Sequence, residues 1–377
     1  MNSHRRINIL QLVNGFAIGG GELKLLELVK NVSTEKYNTF VCSVGQGGPL
    51  QEEFKKVCPN VYVLNKKHRF DISLVFKVAK LMKKEKIDIV QTTLFYADVI
   101  GAIAAKMAKV SVVISWEVVT QSFKAIHRMA YKVAQRNIDM VITVSDAINK
   151  KMVEVRKIGS RKVKTIHYGV DLTKFHLNGR DKSLRRKELG FSENDILVGT
   201  VARLTEQKGH KYLLPAAQGI VKRFRNVKFV FIGDGPLRSD IESQICSLNI
   251  KSNCKLLGFR TDVKEILNLF DVFVLPSLYE GLPNVVLEAM ACGNPVVATA
   301  VDGTVEAVEH GVTGLLVSPK NPEALEEALI SLITDKDKMI LMGKNGRKRV
   351  EKFFSLDKQI EKFEELYDNF AMDRIMN

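Results

Sequence analysis

Short runs of β-branched and aliphatic residues recur along the chain, and segments with apolar residues at helical spacing separate them. In the first half the runs are Ile7 to Val13, Thr39 to Val44, Ile87 to Thr92, Val110 to Ser115, Met140 to Val144 and Val163 to Ile166. Between them, Glu22 to Asn31 and Leu74 to Glu85 carry the helical period, with Leu74, Val78, Leu81 and Met82 on one face. Strands that alternate with helices have room for crossover connections, so the pattern predicts a parallel sheet. From Leu172 to Glu193 the apolar period lapses through Asn178, Gly179 and the Arg185-Arg186-Lys187 run, and a linker is expected there. The alternation restarts at Ile196 to Ala202 and continues through Lys228 to Ile232, Lys255 to Leu257, Val272 to Leu275, Pro295 to Thr299 and Gly314 to Val317. A second parallel sheet follows.

At 377 residues the chain is long enough for two cores. The expected class is α/β, with two Rossmann-like domains facing a cleft, residues 1–180 and 181–377. Ligands of such sheets bind outside the carboxyl ends of the strands, so the strand-end loops are where chemistry is sought.

The richest loop is Glu280-Gly281-Leu282-Pro283-Asn284-Val285, which leads into a helix carrying Glu288 and closed by Gly293 and Pro295. Gly281 permits an unusual backbone angle, Pro283 suits the first helical turn, and the helix start presents unpaired N–H groups to an anion. Glu280 and Glu288 can accept hydrogen bonds from sugar and ribose hydroxyls. The same pair also fits a capped surface helix with two solvated glutamates. Just beyond Gly199 to Ala202, Arg203 and Lys208 place a planar guanidinium and a point charge where a diphosphate could be held. Gly233-Asp234-Gly235 and Gly258-Phe259-Arg260 follow two further strands and allow close approach of backbone to ligand. In the first half, Gly19-Gly20-Gly21 forms a loop before a helix start, without the Gly-x-Gly-x-x-Gly dinucleotide spacing.

Taken in order, these segments closely resemble the family-four retaining glycosyltransferases of GT-B fold. Gly19 to Glu22 and Tyr168-Gly169-Val170-Asp171 are similar to the same family's N-terminal loop and pre-linker motif, more loosely than the C-terminal half. The resemblance implies that a nucleotide diphosphate-sugar is the donor substrate, with no cofactor and no metal. It implies that Glu288 binds the ribose hydroxyls, Glu280 the donor sugar, Arg203 and Lys208 the diphosphate, and that Gly258 to Arg260 border the base. It further implies retention at the anomeric carbon, a saccharide or lipid-linked acceptor, and a C-terminal helix that packs back on the first domain. One departure stands out. Family members commonly carry histidines at the strand ends that here read Ser115-Trp116-Glu117 and Gln91 to Thr93, which leaves Glu117 or a backbone group for acceptor handling, or a different acceptor-side chemistry. Trp116 could stack on a sugar or pack as an aromatic at the interdomain face. Three other readings stay open: a nucleotide-sugar epimerase of the same architecture, which would lack the paired-glutamate helix, a catalytically silent sugar-nucleotide sensor, and a basic nucleic-acid-binding protein, although no recognition motif is seen and no nucleic acid is expected.

The net charge of +15 predicts an anionic partner. Gln121 to Arg136 sets Phe123, Ile126, Ala130 and Val133 on one helical face and Lys124, Arg128, Lys132 and Arg136 on another, which fits either a core-packed helix or one lying on an anionic membrane. No stretch approaches the ~20 apolar residues of a membrane-spanning helix. Five scattered cysteines without metal or redox spacing suit a reducing compartment, so a cytoplasmic protein, peripheral at the inner face of the membrane, is expected.

Overall fold

The computed structural model describes residues 5–68, 71–118, 125–177 and 182–375, with backbone alone at 125–128. The chain forms two compact units, Met1–His167 together with Gln359–Asn377, and Tyr168–Lys358. The single division expected at 180–181 differs from this at two places: the second unit starts upstream of the polar stretch, and the chain's last helix returns to the first.

In the first unit, β1 (Ile7–Val13), β2 (Tyr37–Ser43), β3 (Asn60–Val63), β4 (Ile89–Thr93), β5 (Val112–Glu117), β6 (Met140–Thr143) and β7 (Val163–Thr165) form a parallel sheet ordered β3-β2-β1-β4-β5-β6-β7. β1 pairs with β4 in a register that sets Gln11 beside Gln91. In the second unit, β8 (Ile196–Val201), β9 (Val227–Ile232), β10 (Cys254–Gly258), β11 (Val272–Leu275), β12 (Val296–Thr299) and β13 (Gly314–Val317) form a second parallel sheet ordered β10-β9-β8-β11-β12-β13. The central strands are buried on both faces, which is why they read as continuous apolar runs. β3 lacks that signature. It is a four-residue edge strand, half-buried throughout, and the sequence pattern predicts no strand there.

The helix Leu356–Arg374 completes the first unit. Its Tyr367 is fully buried, donates to Gln91 Oε1 at 2.8 Å and accepts from Gln11 Nε2 at 3.3 Å. Two glutamines in the middle of an apolar sheet are costly without partners, and the phenol supplies them. Trp116 is fully buried and meets Phe363 edge-on, with ring centroids 5.0 Å apart. This settles its role against sugar stacking: the ring is core. The polar stretch around Arg185 to Lys187 is also not a free linker. Arg186 is buried, donates to the Leu269 carbonyl oxygen at 2.6 Å and pairs with Asp271 at 2.7 Å, which anchors the short helix Lys182–Glu188 to the second unit.

The amphipathic segment 121–136 is described in part. Phe123 and Lys124 lie outside the described residues, as do the side chains of Ile126 and Arg128. In the rest of the helix Ala125–Gln135, Tyr131 and Ala134 are buried whereas Met129 and Val133 are exposed, so Val133 does not belong to the core-facing side. Asp335 caps the helix Lys336–Phe353 by accepting from the Lys338 N–H at 2.9 Å.

Two substitutions test the last helix. Phe363→Ala should cost about 3–5 kcal/mol by leaving a cavity against Trp116. Tyr367→Phe should cost about 1–3 kcal/mol by stranding the two glutamines. Urea unfolding followed by Trp116 fluorescence measures both.

Candidate functional site

The strand order of the second unit reverses between β8 and β11, so the loops leaving these strands diverge and open a crevice at their carboxyl ends. Lys208, from the loop after β8, and Glu280, from the loop after β11, meet there with Nζ to Oε1 at 2.5 Å. Glu280 is 7% exposed and Lys208 18%. The Glu280 carboxylate also accepts from Ser277 Oγ at 2.6 Å, and its backbone N–H donates to Asp302 Oδ2 at 3.1 Å. A carboxylate this enclosed is tolerable because its lone pairs are taken up by charged and polar donors.

Backbone hydrogen bonds tie neighbouring loops into one wall. The Leu278 N–H donates to the Gln207 carbonyl oxygen at 2.7 Å, the Gly233 N–H to that of Gly258 at 2.8 Å, and the Leu204 N–H to that of Asp234 at 3.0 Å. Two of these approaches require glycine. Gly209 has φ of +66°, and a Cβ there would sit 2.0 Å from the Pro276 carbonyl oxygen; Gly233 has φ of +126°, and a Cβ would sit 2.0 Å from that of Ala202. Side chains at either position would push the wall apart.

The helix Asn284–Ala291 starts at this wall, with Pro283 as its N-cap. Proline has no side-chain acceptor, so the helix start is left without a side-chain cap. Gly281, Leu282 and Pro283 are buried, Asn284, Val285 and Glu288 half-buried. Arg203 is exposed in the loop after β8, and its carbonyl oxygen lies 3.3 Å from Nε2 of the buried His210. Burial pushes the His210 imidazole down to about 4, so at neutral pH it is an uncharged donor to that carbonyl. Gly258 adopts φ of +68°, Phe259 is exposed, and Arg260 is held by Asp262 through two hydrogen bonds of 2.7 and 2.6 Å.

The structure therefore gathers Lys208, Glu280, the Gly281–Val285 turn, Gly233 and Gly258 on the strand-end loops of one sheet. Gly20 and Gly21 belong to the first unit, where the helix Gly20–Asn31 begins inside the glycine run. Ser277, Asp302 and His210 are not marked by the sequence pattern. His210 directly follows Lys208-Gly209, whereas Asp302 sits three residues past a strand expected to end at Thr299, with no local pattern to mark it.

A second polar centre lies in the first unit, at the ends of β4 and β5. Asp98 is fully buried, and its Oδ1 accepts from Thr92 Oγ1 at 2.5 Å and Ser115 Oγ at 3.0 Å. Glu117, 6% exposed, accepts from Tyr131 Oη at 2.6 Å and Arg156 Nη1 at 3.0 Å. Burial, reinforced by the charge of Glu117, raises the Asp98 carboxyl to about 8. Glu117, the residue left for acceptor handling by the missing histidine, is thus tied into a structural network.

Residues 181–349 match the family model described as Glycosyl transferases group 1, and residues 18–174 match Glycosyltransferase Family 4. The chain belongs to the family-four glycosyltransferases. It is 29% identical, over 99% of its own length and 100% of the relative's, to a UDP-Gal:alpha-D-GlcNAc-diphosphoundecaprenol alpha-1,3-galactosyltransferase of Escherichia coli. It is 28% identical, over 78% of each chain, to an N,N'-diacetylbacillosaminyl-diphospho-undecaprenol alpha-1,3-N-acetylgalactosaminyltransferase of Campylobacter jejuni. Its fold is similar to that of HepE from Anabaena, solved in complex with UDP, with a TM-score of 0.87 at 25% identity over 96% of this chain and 100% of that one. The fold is GT-B, and the activity is glycosyl transfer rather than epimerisation or nucleic-acid binding. Among the described residues no helix of this glycosyltransferase is long and apolar enough to cross a membrane.

Two expectations follow from the geometry. Gly209→Ala should destabilise the second unit by about 1–3 kcal/mol, from backbone strain and the clash with Pro276; thermal unfolding of the variant checks it. Asp98 binds its proton in the folded protein and loses it in the unfolded chain at pH above about 4, so its contribution to stability falls as pH rises from about 4 to about 8. Asp98→Asn removes that titration. Wild-type stability in urea should fall from pH 5 to pH 8, and in the variant that fall should shrink by the part that Asp98 contributes.

Proposed function

We propose that the second unit binds a nucleotide diphosphate-sugar and that the enzyme passes the sugar, with retention and without a metal, to a saccharide acceptor carried on a lipid. The observation that carries this reading is the Lys208–Glu280 pair at the β8/β11 strand-order reversal, beside a helix start without a side-chain cap. The similarity to HepE in complex with UDP supports a uridine nucleotide, and the lipid diphosphate acceptors named for the Escherichia coli and Campylobacter relatives support the acceptor class.

In this reading the helix start and the two cations, Arg203 and Lys208, receive the diphosphate. Negative charge grows on the departing nucleotide as the glycosidic bond breaks, and a guanidinium and an ammonium already in place stabilise it. Glu280, fixed by Ser277 and Lys208, accepts hydrogen bonds from sugar hydroxyls, and Glu288 does the same for the ribose. Phe259 and Arg260 border the base, with Arg260 oriented by Asp262. Retention places the acceptor hydroxyl on the face from which the diphosphate leaves, so the leaving phosphate oxygens themselves are near enough to take its proton. The cationic pair carries out the charge stabilisation otherwise assigned to a metal ion, which is the basis for expecting none.

The reading is tested with UDP, UDP-glucose, UDP-galactose and UDP-N-acetylgalactosamine by thermal shift. A bound donor at one hundred times its Kd adds about 2.7 kcal/mol of apparent stability. Glu288→Ala should weaken binding by roughly 1.5–3 kcal/mol, the value of a charge-assisted hydrogen bond. Lys208→Ala should lower kcat about a hundredfold, more than it raises donor Kd, because its charge acts most in the transition state. Stabilisation by none of the four nucleotides, or activity abolished by chelation, would contradict the reading.

A further inference from the structure

The two cations on the loop after β8 are held differently. Lys208 is paired with Glu280, whereas the exposed Arg203 guanidinium pairs with no carboxylate among the described residues. Where that guanidinium stands is therefore decided by the backbone that carries it. The Leu204 N–H donates to the Asp234 carbonyl oxygen at 3.0 Å, and the Arg203 carbonyl oxygen accepts from the Thr205 N–H at 2.9 Å. A carbonyl oxygen has a second lone pair, and His210 Nε2 lies 3.3 Å from this one. His210 is also the first residue of the helix His210–Arg223, two residues after Lys208. One side chain ties the residue bearing the first cation to the helix start that follows the second.

The partner fixes how the ring is protonated. A carbonyl oxygen only accepts, so Nε2 carries the hydrogen. His210 is 2% exposed, and burial pushes its protonation down to about 4, with the nearby Lys208 charge acting the same way. In the neutral ring Nδ1 is then a bare acceptor, and it is buried without a hydrogen-bond partner among the described residues. An orphaned acceptor is destabilising. Packing does not require it. The ring meets Phe231 of β9 edge-on, with centroids 6.0 Å apart, and leucine, of similar volume, would fill the same space without a polar atom. What the imidazole adds over leucine is one hydrogen bond, and that bond goes to the residue with the unpaired guanidinium.

We infer that His210 is a positioning residue, whose Nε2–H clamps the Arg203 carbonyl so that the guanidinium and the Lys208 ammonium are both in place for the donor's diphosphate. The purpose of the clamp rests on the donor reading proposed above, and the clamp itself on the loop geometry alone. His210 acts through Arg203 and touches no reacting atom. A cation displaced by an ångström still attracts a diphosphate but stabilises its departure less, so the loss falls on kcat more than on binding.

Two variants separate this role from packing. His210→Leu should keep Tm within about 4 °C of wild type, because the swap conserves volume and removes an orphaned nitrogen. It should speed amide hydrogen exchange at residues 203–208 about tenfold with no nucleotide present. With the UDP-sugar that stabilises wild type, kcat for UDP release should fall about tenfold while the Kd for UDP changes less than about threefold. His210→Gln keeps an N–H donor near the position of Nε2 and should return exchange and kcat to within about threefold of wild type. Nitrogen NMR of the wild-type ring, assigned by its loss in His210→Gln, should show a neutral imidazole with its hydrogen on Nε2 between about pH 5 and 8. A hydrogen on Nδ1, exchange and kcat unchanged in His210→Leu, or failure of His210→Gln to restore them overturns the inference. So does a fall in Tm of more than about 10 °C in His210→Leu that accompanies the loss of kcat, the mark of a core residue. Faster exchange in His210→Leu, with no stabilisation of wild type by UDP, supports the clamp and counts against the proposed donor site.

Discussion

A parallel sheet sends every strand's carboxyl end to one edge, and the place where strand order reverses is where that edge opens. In the second unit the opening falls between β8 and β11, and it is held by one ion pair, Lys208 with Glu280. Burying that carboxylate alone would cost several kcal/mol, so its surroundings follow from the need to keep it partnered. Lys208 reaches it because Gly209 turns through a left-handed angle and lets the loop close on Pro276. Ser277 reaches it from the end of β11, and Asp302 fixes the peptide that carries it. Thr299 holds Ser277 in turn by donating to its carbonyl oxygen at 2.5 Å. Loops from three strands are thus committed to one carboxylate before any ligand arrives, which is what preorganisation of a charged site requires.

The first unit buries polar groups at the same edge for a different end. Its β4 and β5 termini carry Asp98, Thr92, Ser115 and Glu117, and these bond mainly to one another, to Tyr131 and to Arg156. The helix Leu356–Arg374 meets the middle of the same sheet through Tyr367 and the glutamine pair. A phenol that both donates and accepts is suited to two amides in register on adjacent strands, which an aliphatic residue could not satisfy. The unit is therefore incomplete without the end of the chain, and a linear boundary drawn from local pattern has no means of registering this.

What was legible in the sequence was whatever a short window determines. β1, β11 and β13 have the spans that their apolar runs mark, and the turn at Gly281 to Asn284 is announced by glycine and proline. That Lys208 and Glu280 belong to one site was expected through resemblance alone, since nothing local connects the two, and the structure brings them together as an ion pair. β3 escaped because an edge strand of four half-buried residues has no pattern long enough to rise above its neighbours. Arg186 was misread for the opposite reason: a basic run looks solvated until a distant carbonyl, Leu269, and a distant carboxylate, Asp271, are placed against it. Trp116 likewise offered two readings until Phe363 was brought from the far end of the chain to cover it.

Net charge behaves in the same way, being a property of the whole sequence whose meaning depends on where the opposite charges go. Solvated helix faces ordinarily interleave acids and bases at spacings of three and four, as Glu52 with Lys55 and Glu53 with Lys56 do here. On the helices Ser73–Lys84, Phe95–Ala108 and Ala125–Gln135 that interleaving is absent, and the lone carboxylate among them, Asp98, is turned inward and raised to about 8 by its burial. The neighbouring acids are consumed by structural duties, Asp71 in the turn before Ser73, Asp88 in binding the Asn8 N–H and Arg5. Lysines spaced at three and four on Ser73–Lys84 repel one another, and the helix holds because Leu74, Val78, Leu81 and Met82 are buried beneath them. The positive surface is thus supported from below by packing, with no exposed carboxylate on these helices to offset its self-repulsion.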